Sequence, residues 1–401
     1  MKRVLLSLLA VAIVAVFETS PASAQKKVVI SDFTKLPTNK LHLVSTSKII
    51  NTKNDVSIIS RTGGWYFVRI GSKLDIYDSE FNLCFANQDP QYWHQCGTEG
   101  YHVDNDISIV GDGQFYHMRE KRILGQIGPC LSYSNIVDGV CWVKREVIKN
   151  ENRYYTYEFC TTTGETLLGE PMIDSRYSYD LENPSPLKDG RRAVYVQEMQ
   201  KWAFVDESGT PIIQPTYVAA HNFHEGLAAV RKEVDGEYKW GFINPNGEEV
   251  IPFKFTKEPG DFYDGVAVVT KLNGKQTYLK KDGTTVNTEV DVLLPRWKGR
   301  VVLGINKPTY TRFLTPTKDI VYENVALWRY GWDLDCSVPF IAGGFYNPVI
   351  TFDGELLWYK SPGIYLQDGI WWNNTTSGYS AVIFNMKGEI LMAFKTIKEE
   401  F

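Results

Sequence analysis

The stretch that decides the fold reads Lys239-Trp240-Gly241-Phe242-Ile243-Asn244-Pro245-Asn246-Gly247-Glu248-Glu249-Val250-Ile251-Pro252, then Phe262-Tyr263-Asp264-Gly265-Val266-Ala267-Val268-Val269. Trp240 and Phe242 alternate with Gly241 and Ile243, the two-residue period of a strand. Asn244-Pro245-Asn246-Gly247 is a turn, because Pro presets φ and Gly accepts φ > 0. Glu249-Val250-Ile251 reads as a second strand, limited by Pro252, which cannot donate to a ladder. Asp264-Gly265 is another turn, leading into a third apolar strand. Three short strands cannot bury their own apolar faces, so such units must stack on copies of themselves.

Copies are present. A first glycine series, one per hairpin turn, runs Gly164, Gly209, Gly247, Gly283, Gly354 and Gly388. A second, before the third strand, runs Gly139, Gly190, Gly226, Gly265, Gly299 and Gly369. Around the central stretch both advance by 34 to 39 residues, and both skip a beat near Asp319 to Asp335. Extending the period back to Trp65 gives roughly nine units. No segment after the N-terminus carries a 3.6-residue apolar period, so an all-β chain is expected.

Lys201-Trp202-Ala203-Phe204-Val205 runs through Gly209 to Phe223-His224-Glu225-Gly226-Leu227-Ala228, and the Trp240 unit repeats it. The chain thereby resembles the bacterial WG-repeat family, most clearly over 201–286. Trp202, Gly209, Gly226, Trp240, Gly241, Gly247, Gly265 and Gly283 define the repeat. The resemblance implies an array of small β units and no shared catalysis. Units of about 36–39 residues, with three short strands each, favour an open β-solenoid or superhelix. A closed β-propeller, whose blades take four strands in ~40 to 45 residues, is the alternative.

Lys2-Arg3, the apolar run from Val4 to Phe17 and Ala22-Ser23-Ala24 form a signal-peptide pattern over 1–24. The run is short for a membrane span. An exported protein, periplasmic or secreted to the surface, is expected, with no transmembrane anchor after cleavage. Residues 25–401 read as one domain, with 25–51 an irregular lead-in. Lys and Arg total 43 against 47 Asp and Glu, which gives no electrostatic case for nucleic acid. In an oxidising compartment the cysteines can pair. Cys84 with Cys96 and Cys130 with Cys141 are near enough in sequence to bridge adjacent strands.

His94, Cys96, His102, Asp104 and Asp106 fit no familiar metal spacing. Asp104-Asn105-Asp106 with Asp112-Gly113 does not fit a calcium loop. His221 and His224 occupy a repeat loop, where the next unit has Asp261 and Asp264. No Gly-x-Ser-x-Gly, His-Glu-x-x-His or phosphate-binding glycine loop is present. No cofactor, metal or catalytic residue is assigned.

Aromatics are abundant. The clusters Tyr92-Trp93, Trp328-Arg329-Tyr330-Gly331-Trp332 and Trp371-Trp372 suggest a binding surface, because adjacent strand residues face opposite sides. The expectation is a non-catalytic repeat protein that binds a protein partner. Glycan binding through those rings, or an enzyme acting on envelope polysaccharide, are the alternatives.

Overall fold

A computed structural model describes residues 27–397, apart from 33–34, 94–100, 150–151, 169–171, 174–184, 197–198, 287–289, 307–308, 324–339, 343–348, 359–363, 367–369 and 377–378. Residues 1–24, expected to be a signal peptide, therefore lie outside the described residues, as do His94, Cys96, Trp328, Tyr330, Trp332 and Cys336.

The chain is all-β, with nine small sheets among the described residues. Contacts divide it into two compact units. One comprises the residues up to Lys40 with Tyr217–Pro362; the other comprises Leu41–Thr216 with Gly363–Phe401.

The Trp240 repeat shows how a sheet is made. Ala228–Val234 and Glu237–Ile243 pair antiparallel around Asp235-Gly236, and Glu249–Phe255 adds on the outer side. The hairpin turn to the outer strand is fixed by Asn244, whose Oδ1 accepts from the amides of Asn246 and Glu248, both at 3.0 Å. The sequence reading stops at three strands. The sheet has a fourth, the two-residue Ala219–Ala220, which pairs with Ala228–Val234 ahead of the turn at Glu225-Gly226. Both turn residues have positive φ, 51° and 83°, the geometry of a type I′ turn that matches strand twist. Asp264-Gly265 repeats it at 50° and 78°.

Gly241, the glycine of the Trp-Gly pair, is required by packing. A Cβ there would sit 2.9 Å from the Ile251 carbonyl oxygen and 2.9 Å from the Phe253 ring. The preceding repeat has Ala203 at this position, and Pro215 stands where Phe253 would be. The larger residue at the glycine position is thus accompanied by a smaller one at the ring position.

Each inner strand is buried on both faces. In Trp65–Ile70, Trp65 and Phe67 join a core with Trp93, Val103 and Val110, while Tyr66 and Val68 join one with Ala381, Ile383 and Phe394. Val301–Asn306 likewise sends Val301 and Leu303 to one side and Val302 to the other. Within each unit, neighbouring sheets therefore pack face to face and share their apolar rows.

The sheets are arranged as the blades of a β-propeller. This corrects the expectation of an open solenoid in favour of its closed alternative. Within the unit containing both segments, the core that joins Val56, Tyr66 and Tyr77 to Met392 and Phe394 unites the first sheet with the last. The early strand His42–Thr52 runs parallel to the final strand Glu389–Thr396, with Ile49 beside Ala393. An open stack would leave the outer apolar face of each terminal sheet in water; closure covers both and removes free ends.

Candidate functional site

A groove of about 500 Å³ lies in the unit containing Tyr217–Pro362. One wall is the end of the outer strand, Lys254, Phe255 and Thr256, and the other is Val269 to Asn273 with Thr285. Val269 and Thr270 close the strand Val266–Thr270, which pairs with Gln276–Lys280 across a turn. That turn is held by Lys271 and Gly274. The Lys271 amide donates to the Lys275 carbonyl at 2.8 Å, and the Gly274 amide donates to the Lys271 carbonyl at 2.9 Å. Asn273 Oδ1 accepts from the Lys275 amide at 3.0 Å.

The turn presents Leu272 at its tip with 95% of the residue exposed. The corresponding turn of the preceding repeat is the polar pair Asp235-Gly236. A leucine left in water at the rim of a groove buries almost no apolar surface within the fold. Lys254 and Lys271 are the charged residues of the lining, and no acid is among them. In the sequence Leu272 is marked only as an apolar residue inside the Lys271-Leu272-Asn273-Gly274-Lys275 turn.

Successive repeats are also latched by side chains. The acid ahead of, or first in, one type I′ turn accepts an amide from the next repeat. Asp104 Oδ2 takes the Gly139 amide at 3.0 Å, and Asp138 Oδ2 takes that of Leu187 at 2.7 Å. Glu225 Oε2 takes Gly265 at 2.9 Å, and Asp264 Oδ2 takes Gly299 at 2.6 Å. Arg192 reaches back from its own strand and donates to the carbonyls of Val137 and Asp138 at 3.1 and 3.3 Å. These acids read as turn residues in the sequence. Their period, shared with the second glycine series, is what marks them as one structural set.

His221 belongs to this inter-repeat system. Its Nδ1 lies 2.8 Å from Asp261 and its Nε2 lies 2.9 Å from Glu258. His224 Nε2 is 3.5 Å from Asp261, and the His221 ring meets Trp240 edge-on at 5.2 Å. Burial lowers the His221 pKa, but the bonds to Asp261 and Glu258 outweigh it and the net shift is upward. Gly260 is the repeat equivalent of His221, and Asp261 beside it carries the contact between the two repeats.

The remaining candidates have structural partners. His102 Nε2 is 2.6 Å from the Ile136 carbonyl, and burial lowers its pKa. Asp106 accepts from Trp65 Nε1 at 2.8 Å and Arg119 Nε at 2.6 Å. With Asp104 holding Gly139, this acidic turn is occupied by protein donors. Among the described residues no group of three or more His, Cys, Asp or Glu is placed to hold a metal ion.

The aromatic surface expected from the sequence is mostly interior. Trp371 and Trp372 are 3% and 8% exposed, and Trp93 is 2% exposed. The Trp371 indole N–H points at Met386 Sδ, 3.0 Å away. Adjacent rings do face opposite sides, but both sides are covered because each sheet is sandwiched. Tyr92 alone of the described set is exposed, packing edge-on against Trp93 at 5.8 Å. Of the repeat-defining residues, Trp240 is buried and Trp202 half-buried against Tyr195. Gly209, Gly247 and Gly283 all sit at positive φ in hairpin turns.

Cys84, Cys130, Cys141 and Cys160 carry free thiols, and Cys96, the expected partner of Cys84, lies outside the described residues. The residue opposite Cys141 is Cys160, not Cys130, because the long hairpin Val140–Lys149 with Asn152–Thr161 sets that register.

Comparison with known proteins agrees with the repeat reading. Residues 202–235 and 240–275 match a family model described as WG containing repeat. No curated protein matches the chain. Among solved structures, the computationally designed Ika8 protein aligns at TM-score 0.35 and 11% identity, over 79% of this chain and 100% of its own. BamB from Moraxella catarrhalis aligns at TM-score 0.33 and 11% identity, over 81% of this chain and 97% of its own. Kluyveromyces lactis Hsv2p aligns at TM-score 0.30 and 7% identity, over 68% and 97%. Overlaps this loose carry no argument about function.

Proposed function

We propose that this protein, whose residues 202–235 and 240–275 are WG-containing repeats, is an exported, non-catalytic binding protein that takes a protein partner at the Leu272 groove. The observation that carries the reading is Leu272 itself, a large apolar side chain 95% exposed beside an open groove. Burying one leucine against a partner is worth about 1.5–3 kcal/mol, the scale of an interface anchor. Lys254 and Lys271 at the border suit a partner surface with carboxylates around an apolar centre.

Export rests on Lys2-Arg3, the apolar run and Ala22-Ser23-Ala24. Fractionation of the native cells, with the N-terminal mass of the recovered protein, tests it. A chain starting at Gln25 outside the cytoplasm supports export, and a full-length cytoplasmic chain rejects it.

The binding test is a pull-down from native envelope extract with the wild-type chain and Leu272→Asp. The variant is expected to lose the specific partner while keeping the wild-type unfolding midpoint, because a side chain this exposed makes no core contacts. Equal recovery of the same partners by both proteins removes the groove from consideration.

A further inference from the structure

Three cysteines meet in one place that the binding reading does not use. Cys141 and Cys160 are 0% and 1% exposed and stand directly opposite each other across the antiparallel pair. Cys130 is half-exposed and packs against the same apolar cluster, with Ile109, Phe115 and Tyr133. The Cα atoms of directly opposed residues lie ~4.5 or ~5.5 Å apart, depending on the pair type. Both values fall within the ~4.4–6.8 Å that a disulfide spans. Arg145 lies beside the thiols, anchored by Glu158 Oε2 at 2.7 Å and the Pro129 carbonyl at 2.5 Å. Burial raises the pKa of both the Cys141 and Cys160 thiols, and the positive charge of Arg145 opposes that rise.

We propose that Cys141 and Cys160 are a cross-strand oxidation site, loaded by thiol–disulfide exchange with a small-molecule disulfide through the half-exposed Cys130. The Cys130 thiolate attacks the reagent disulfide and expels one thiolate, leaving a mixed disulfide on Cys130. Cys141 attacks the Cys130 sulfur and expels the second reagent thiolate, which forms the Cys130–Cys141 bond. Cys160 then attacks the Cys141 sulfur, and Cys130 leaves as a thiol. The two protein thiols lose two electrons and two protons; the reagent gains them and ends as two thiols. The bond staples a hairpin whose far end, at Ile148, is 68% exposed.

The test treats the reduced full-length protein with oxidised glutathione under native conditions. Remaining thiols are then blocked with N-ethylmaleimide, and the digest is mapped without reduction. The expected product is a Cys141–Cys160 linked peptide, with a thermal midpoint several degrees above the reduced form that returns on adding dithiothreitol. Cys130→Ser, with an unchanged circular dichroism spectrum, is expected to form the same link several-fold more slowly. Recovery of Cys141 and Cys160 as maleimide adducts, or a stable link from either of them to Cys130, overturns the site. An unchanged rate in Cys130→Ser overturns the relay through Cys130.

Discussion

Gly241→Ala tests whether the repeat's glycine is set by contact. Its φ is outside the left-handed region, so alanine is conformationally allowed there. The added Cβ meets the Ile251 carbonyl oxygen and the Phe253 ring at 2.9 Å. Carbon atoms prefer about 3.5–4.0 Å, so the outer strand Glu249–Phe255 must shift outward. Overpacking of this kind costs about 1–3 kcal/mol. The alanine recovers ~0.4–1 kcal/mol by restricting the unfolded chain. A net loss of about 1–2 kcal/mol follows, read as a lower urea midpoint by tryptophan fluorescence. Phe253→Ala should be costly alone, since the ring is 8% exposed. Combined with Gly241→Ala it should cost less than the sum by roughly 0.5–1 kcal/mol, because removing the ring relieves part of the clash. The Ala203 and Pro215 pair of the preceding repeat is the natural version of that double change. A Gly241→Ala midpoint at or above wild type, or strictly additive changes, refutes the argument.

Asp319→Ala leaves Arg312, 2% exposed, without the two bonds of 2.8 and 2.7 Å that now hold it. Breaking a buried pair from one side costs about 3–5 kcal/mol, so the urea midpoint should fall well below that of surface acid-to-alanine controls. His221 gives a pH test. Its folded pKa is raised, so its stabilisation is full below the unfolded value near ~6.5 and is lost as pH rises through the folded value. The midpoint difference between wild type and His221→Gln should therefore be larger at about pH 6 than at about pH 8.5. A difference that grows with pH contradicts the assigned contacts.

Much of the local structure was legible in residues. Gly226 and Gly265 announced turns because few other residues accept φ near 80°. Asn244-Pro245-Asn246-Gly247 announced a hairpin turn, which the Asn244 side chain closes by bonding the backbone two and four residues on. The fourth strand was not legible, since Ala219–Ala220 is too short for any period to show. Closure was invisible for a different reason. The pairing of His42–Thr52 with Glu389–Thr396 joins the two ends of the chain, and no local pattern encodes a partner so distant. The candidate site failed where double burial was not anticipated. Trp371 and Trp372 look like one ring in and one ring out, but a blade has no outer face of that kind. Leu272 was visible all along as an apolar residue in a polar turn, and only its exposure beside a groove gave it meaning.

Closure of the array is tested most directly by hydrogen exchange on the full chain and on a chain ending before Glu389. The closed arrangement predicts that removing the final strand deprotects His42–Thr52 and also the first sheet, Val56–Thr62 and Trp65–Ile70, at the opposite end of the sequence. Loss of protection confined to Ile370–Thr376 and Tyr379–Asn385, with the first sheet exchanging as in the full chain, would contradict it.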